Sequence, residues 1–268
     1  MHVTLAQHPE PPSGDDRAFV TSNAVIVLDG ASAFSERDVP ASTYADQLGA
    51  ALARLIEGSD EPLPHLLAEA ISETVTALGI TPGGRAPSST VAIARRRHDA
   101  SLDLLVLGDS QIAIPGRVIR DDRLGVIAND VRVAYRARLE AGYGYDDEHR
   151  RLLAALQDEQ LRHRNRPGGY WIAEADPIAA EHAITCRVMQ DPNLWCVLAT
   201  DGAYRPMEHL RIDNWPTIAT ADSRELESVL QRCQDWESTD PHGRQLPRAK
   251  RHDDKTLMIA SMRSDAPV

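Results

Sequence analysis

Val25-Ile26-Val27-Leu28-Asp29-Gly30 is an apolar, mostly β-branched run that ends in a carboxylate and a glycine. It reads as a buried strand with a charged tip. The same pattern returns as Leu194-Trp195-Cys196-Val197-Leu198-Ala199-Thr200-Asp201-Gly202. It then appears reversed as His252-Asp253-Asp254-Lys255-Thr256-Leu257-Met258-Ile259-Ala260, where the acids precede the apolar run. A single Asp-Gly after such a run reads equally as a plain turn. If the third segment lies antiparallel to one of the first two, the acids of all three meet at one sheet edge. Carboxylates gathered there repel one another and cost several kcal/mol each to desolvate unless cations sit between them. Oxygen ligands with no nearby Cys or paired His point to Mg²⁺ or Mn²⁺ rather than Zn²⁺.

The 268 residues suffice for one domain with a large core, and no linker-like stretch divides them. A formal charge of −11, from 40 acidic and 29 basic residues, argues against a nucleic-acid-binding surface. No apolar run approaches the roughly 18 to 20 residues that span a bilayer, and Met1 to Gln7 is unlike a signal peptide. The expected location is therefore the cytoplasm, with no membrane partner. Cys186, Cys196 and Cys233 read as reduced thiols, with Cys196 a small core residue of its strand.

Outward from the opening strand, Thr21-Ser22-Asn23 reads as a hairpin turn that returns Asp15 and Asp16 to the end where Asp29 lies. Gln7 to Gly14 reads as extended or loop-like. Helices are expected from Ser42, capped by Ser42 or Thr43, to about Leu55, and from Pro64 to Leu78 with Gly79 as the stop. Ser88 to Ala94 and Leu102 to Leu107 read as strands joined by Arg95-Arg96-Arg97-His98-Asp99-Ala100, a solvated hairpin tip. Gln111 to Pro115 and Arg117 to Arg120 continue the meander.

From about residue 128 to 166 the chain turns charged and alanine-rich, with Leu152, Leu153, Leu156 and Leu161 at helical spacing, and reads as an inserted helical segment. A short strand over Tyr170 to Ala173, a helical turn at Asp176 to Ala180 and a strand over Ala183 to Met189 follow. Beyond Asp201-Gly202 come a polar stretch, a helix from about Ser223 to Trp236, a loop over Ser238 to Arg251 and a closing strand, Thr256 to Ser261. Strands in two clusters with helices outside, and no parallel βαβ alternation, imply an α+β layered sandwich.

Taken in order, Asp15-Asp16-Arg17, Val27-Leu28-Asp29-Gly30, Ser89-Thr90-Val91, Leu107-Gly108-Asp109-Ser110, Leu198-Ala199-Thr200-Asp201-Gly202 and Asp253-Asp254-Lys255-Thr256 resemble the motif series of the PP2C-like, metal-dependent serine/threonine protein phosphatases, the PPM family. The resemblance spans nearly the whole chain, which also looks like the compact bacterial members that consist of the catalytic domain alone. It implies an αββα sandwich of two mostly antiparallel sheets flanked by helix pairs, a single catalytic domain over 1–268, and a flap in the 128–166 region.

The same resemblance implies hydrolysis of phosphoserine and phosphothreonine in proteins by a metal-activated water, on two Mn²⁺ or Mg²⁺ ions, with a partner kinase supplying the phosphoprotein. Asp29 would bridge both ions, Asp201 and Asp253 would complete the shell of the first ion, and the Gly30 carbonyl would serve the second. Asp15 and Asp16 would hold metal-bound waters. Asp109 matches a position that helps Asp201 hold a third, weaker ion.

Three departures accompany the likeness. The phosphate-holding arginine that many members carry before the first acidic pair is absent from Pro11 to Gly14, leaving Arg17 as a weak substitute. Ala31-Ser32-Ala33 stands where a histidine or Met-Gly-Gly is common, and Asp15 replaces a Glu. The alternative these departures raise is a catalytically weak or inactive regulatory or binding module of the same fold. A haloacid-dehalogenase-type phosphatase would need an aspartate where Ala31 stands, and Ser110 has no His-Asp partners in order for a serine hydrolase. His252 reads as an exposed strand-start residue and Thr256 as satisfying a backbone or ligand hydrogen bond.

Overall fold

A computed structural model describes residues 1–31, 39–81, 86–189, 191 and 193–262. Its first helices are α1 (Ala41–Ile56) and α2 (Leu63–Leu78). Strand β3 (Ala24–Gly30) shows why the opening run is apolar throughout. Ile26 and Leu28 enter a core shared with α1 and α2, whereas Val25 and Val27 enter a second core between two sheets. A strand covered on both faces has no polar side to alternate with.

One sheet runs β2 (Asp16–Val20), β3, β4 (Ser89–Arg96), β5 (Leu102–Leu107) and β8 (Ile184–Val188). The other runs β1 (His2–His8), β10 (Lys255–Ser261), β9 (Trp195–Ala199), β6 (Gln111–Ile114) and β7 (Arg117–Arg120). Every pairing in both sheets is antiparallel. Helices α6 (Asp201–Leu210), the single turn α7 (Trp215–Ile218) and α8 (Ser223–Thr239) cover the outer face of the second sheet, with Leu226, Leu230 and Cys233 against Val197, Leu257 and Ile259. The layers are α, β, β, α, as the α+β sandwich reading requires.

The inserted segment comprises α3 (Arg123–Val126), α4 (Asn129–Glu140) and α5 (Asp147–His163). Helices α4 and α5 bury Tyr135, Leu139, Leu153 and Leu156 against each other, in a cluster separate from the sandwich cores. Among the described residues no helix is long and apolar enough to cross a membrane.

Several local expectations need correction. The extended Gln7-His8 is the end of a strand, His2–His8, on β10, in which only Thr4 and Ala6 are buried, so the strand's apolar signal is weak. Helix α1 begins behind Pro40 with no side-chain cap, rather than at a Ser42 or Thr43 cap. Tyr170 to Ala173 makes two isolated bridges, to Arg164 and Ser89, and no strand, because Asn165 Oδ1 takes the Ile172 N–H at 2.9 Å.

The stretch after Gly202 is helix α6. Its inward Ala203, Tyr204 and Met207 are interleaved with charge and Pro206, which hides the periodicity. The arginine hairpin is solvated only in part: Arg96 is exposed, whereas Arg95 is wholly buried. β4 turns Arg95 inward, where it donates to the carbonyls of Ser59 (3.1 Å) and Glu61 (2.6 Å) and to Asp103 Oδ2 (2.7 Å). Residues 82–85, between the second helix and the strand that follows it, and Ser32 and Ala33, lie outside the described residues.

Candidate active site

Strand register brings the acids to one end. Asp16, opening β2, lies opposite Asp29, near the end of β3, and Thr90 lies opposite Asp29 on its other side. In the second sheet Ala199, which closes β9, faces both Leu257 of β10 and Gln111 of β6. Asp201, Asp253 and Asp109 stand just outside these three strand ends. Asp29, Asp109, Asp201 and Asp253 therefore line one cavity of about 490 Å³, walled on one side by α4 and α5 through Arg132, Arg136 and Leu156.

Asp29 is held by its backbone. Its N–H donates to Thr90 Oγ1 (3.3 Å) and its carbonyl accepts from Ser89 Oγ (3.0 Å). Burial pushes its carboxyl well above the usual range, and the charges of Asp16, Asp201, Asp253 and Asp109 add to the shift. Asp16 lies behind it, 5% exposed, and is pushed up to about 8, by burial first and then by Asp254 and Asp253. Thr256 and Thr200 hydroxyls both donate to Asp16 Oδ2, at 2.7 and 2.9 Å, and hold that shift back. Thr256 thus satisfies a carboxylate across the two sheets, a role the sequence assigned only in general terms.

Burial also raises Asp201 and Asp253, against the opposing charges of Arg205 and Lys250.

The turn before β10 is anchored from below. Lys255, fully buried, donates to Glu237 Oε2 of α8 (2.8 Å) and to the Asp253 carbonyl (2.7 Å), while His252 Nδ1 lies 3.2 Å from the same Glu237 carboxylate. His252 is therefore half-buried and paired, not an exposed strand-start residue. Asp15 joins through its N–H to Asp254 Oδ2 (2.5 Å), and Gly30 N–H donates to the Asp15 carbonyl (3.2 Å).

Arg17 does not reach the cavity. Its guanidinium donates to Asp46 Oδ1 (2.7 Å) and to the carbonyls of Gly14 (3.0 Å) and Asp16 (2.8 Å), so it braces the acidic turn and is withdrawn as the phosphate-holding residue. The cations that do line the cavity are Arg132, Arg136, Arg164, Arg205, Arg248 and Lys250. The sequence carried one signal for them: Asp201 and Arg205 are four apart, neighbours on a helix once α6 is recognised.

A glycine permits the closest approach. A Cβ on Gly202 would stand 2.0 Å from the Asp254 carbonyl oxygen and 3.0 Å from Asp253 Cβ. Gly202→Ala must push α6 away from the acidic turn, and a loss of about 2 kcal/mol is expected in chemical denaturation. An unchanged midpoint would show that the two segments are not in contact.

Carboxylates crowded in this way call for a positive counter-charge. The donors are all hard oxygens, suited to Mn²⁺ or Mg²⁺. Asp16 Oδ1, buried and without a hydrogen-bond partner among the described residues, is an acceptor left over for such an ion. Chemically the residues fit. Among the described residues, no three His, Cys, Asp or Glu side chains already stand in a ligating arrangement. Lys250 Nζ lies 2.6 Å from Asp253 Oδ1, and the Arg205 guanidinium reaches both Asp109 and Asp201.

No family model and no curated protein sequence matches the chain. Solved structures do. The photosystem II phosphatase PBCP superposes with a TM-score of 0.56 at 13% identity, over 97% of this chain and 98% of its own. The chain has the PP2C-like fold. Over 96% of this PP2C-like chain and 98% of the other, the S. agalactiae serine/threonine phosphatase gives 0.54 at 12% identity. The PPM Ser-Thr phosphatase MsPP from Mycobacterium smegmatis gives 0.53 at 13%, over 98% of each chain. At these identities the likeness is one of fold. In the PP2C-like frame the carboxylate cluster occupies the end where both sheets open onto the α4–α5 wall.

Proposed function

We propose that this chain is a metal-dependent phosphatase acting on phosphoserine and phosphothreonine in proteins, a single catalytic domain working in the cytoplasm beside a kinase that supplies its substrates. The observation that carries the reading is the convergence of Asp29, Asp109, Asp201 and Asp253 on one cavity floor, against burial and mutual repulsion that together raise Asp29 well above the carboxylate range. Acids are gathered at such cost where a function needs them.

Asp29, Asp201, Asp253 and the Gly30 carbonyl would hold two Mn²⁺ or Mg²⁺ ions, with Asp15, Asp16 and Asp109 around them. Bound ions of this kind supply Lewis acidity toward water and phosphoryl oxygens. The chain's own residues do the rest. Lys255 and Glu237 fix the Asp253 backbone, Thr200 and Thr256 orient Asp16, and the arginines of the α4–α5 wall and rim offer planar donors to a phosphate. The 128–166 segment serves as the flap that shapes the substrate's approach.

The test is phosphate release from a phosphothreonine peptide and from p-nitrophenyl phosphate with Mn²⁺, Mg²⁺ or EDTA. Turnover that requires the metal, and falls at least a hundredfold in Asp201→Asn, is the expected result. A regulatory or binding module of the same fold is the second reading, favoured by the ion pairs that Lys250 and Arg205 already make with Asp253, Asp201 and Asp109. Metal binding without turnover on any phosphopeptide would select it.

A further inference from the structure

Asp109 and Asp201 reach the cavity from different elements, one from the β5–β6 turn and the other from the first turn of α6. A single side chain bridges them. The Arg205 guanidinium donates to Asp109 Oδ2 at 3.1 Å, and its Nε lies 3.1 Å from Asp201 Oδ2. Its placement is built in. Helical spacing sets Arg205 one turn beyond Asp201, and Tyr204 pins the other partner by donating its hydroxyl to the Asp109 carbonyl at 2.9 Å. The side chain remains 41% exposed; what burial it has works against the guanidinium charge, and the two carboxylates outweigh it.

We propose that Arg205 is an internal counter-cation, occupying the position between Asp109 and Asp201 that an exchangeable divalent ion would otherwise take. A guanidinium stays charged at every physiological pH and cannot be removed by chelation, so this part of the cluster is neutralised permanently while the rest depends on ions from solution. The inference rests on the metal-binding reading of the neighbouring acids, and its consequence is a stoichiometry: the chain takes up one ion fewer than its carboxylates could hold.

The experiment is Mn²⁺ titration of the full chain, followed by calorimetry and by the electron paramagnetic resonance of free Mn²⁺, for wild type, Arg205→Ala and the bulkier Arg205→Gln. Both variants are expected to bind one ion more per chain than wild type, and Arg205→Lys to bind the wild-type number. Adding Asp109→Asn to Arg205→Ala should remove the extra ion. Equal stoichiometry in wild type and in whichever of the two neutral variants folds would overturn the proposal. Failure of the phosphatase reading looks different: a wild type that binds Mn²⁺ without turnover, while the Arg205 variants still gain one ion.

Discussion

Asp29→Asn is expected to stabilise the metal-free protein and to abolish its divalent-cation binding. The two effects have one origin. In the fold the Asp29 carboxyl is pushed far up by burial and by four neighbouring acids, and Asp16 behind it is pushed up to about 8, whereas an unfolded aspartate ionises near pH 3.9. Between those limits the folded state binds more protons than the unfolded one, so stability declines as pH rises from about 4 to about 8. An amide of the same shape carries no charge to desolvate, and a gain of about 2 kcal/mol at pH 8 should result. Thermal unfolding in EDTA across pH 5 to 8 measures it: wild type should lose stability steadily while the variant's profile is flatter. In Mn²⁺ at a hundred times its Kd the order reverses, because wild type alone gains about 2.7 kcal/mol from binding. Parallel pH profiles would show that the acids do not interact as described.

The second large effect lies at the opposite end of the first sheet. Arg95→Met should cost about 3 to 5 kcal/mol, the usual range for removing one partner of a buried charge pair, or roughly 10 °C in Tm for a chain of this size. Arg95 is fully buried and its guanidinium answers two carbonyls of the α1–α2 loop as well as Asp103, so the thioether leaves all three acceptors short of a donor. Arg97 and Arg187 also reach Asp103, which keeps that carboxylate partly paired and sets the lower bound. Arg96→Met next door, on the exposed face, should change the midpoint by less than about 0.5 kcal/mol. Equal losses at the two positions would mean that strand polarity, not burial of charge, governs the hairpin.

The architecture and the carboxylates were legible for one reason. A strand buried on both faces must be apolar along its length, so an acid at its tip stands out, and Asp29, Asp201 and Asp253 each interrupt such a run. The antiparallel placement of the third run, on which the meeting of the acids depends, is seen as Leu257 opposite Ala199. What stayed hidden depends on partners far away in the chain. Nothing near Lys255 announces Glu237, and nothing near Arg95 announces Ser59 or Glu61, because a buried cation is recognisable only once its acceptors are placed. Arg205 was concealed differently: α6 mixes its inward residues with charge and a proline, so the helical spacing that pairs it with Asp201 was not visible. Arg17 was misread because proximity in sequence to an acidic pair says nothing about which way a half-turn later points, and it points to Asp46.

Helices α4 and α5 bury Tyr135, Leu139, Leu153 and Leu156 against each other, and the loop beyond α8 packs on them through Gly243 and Ala249. The wall of the cavity therefore rests on a hydrophobic cluster separate from those of the sheets that carry its floor. Substitutions that recolour the α4–α5 surface leave the packing of the two sheets untouched, while substitutions on the floor disturb acids that every neighbouring strand helps to hold.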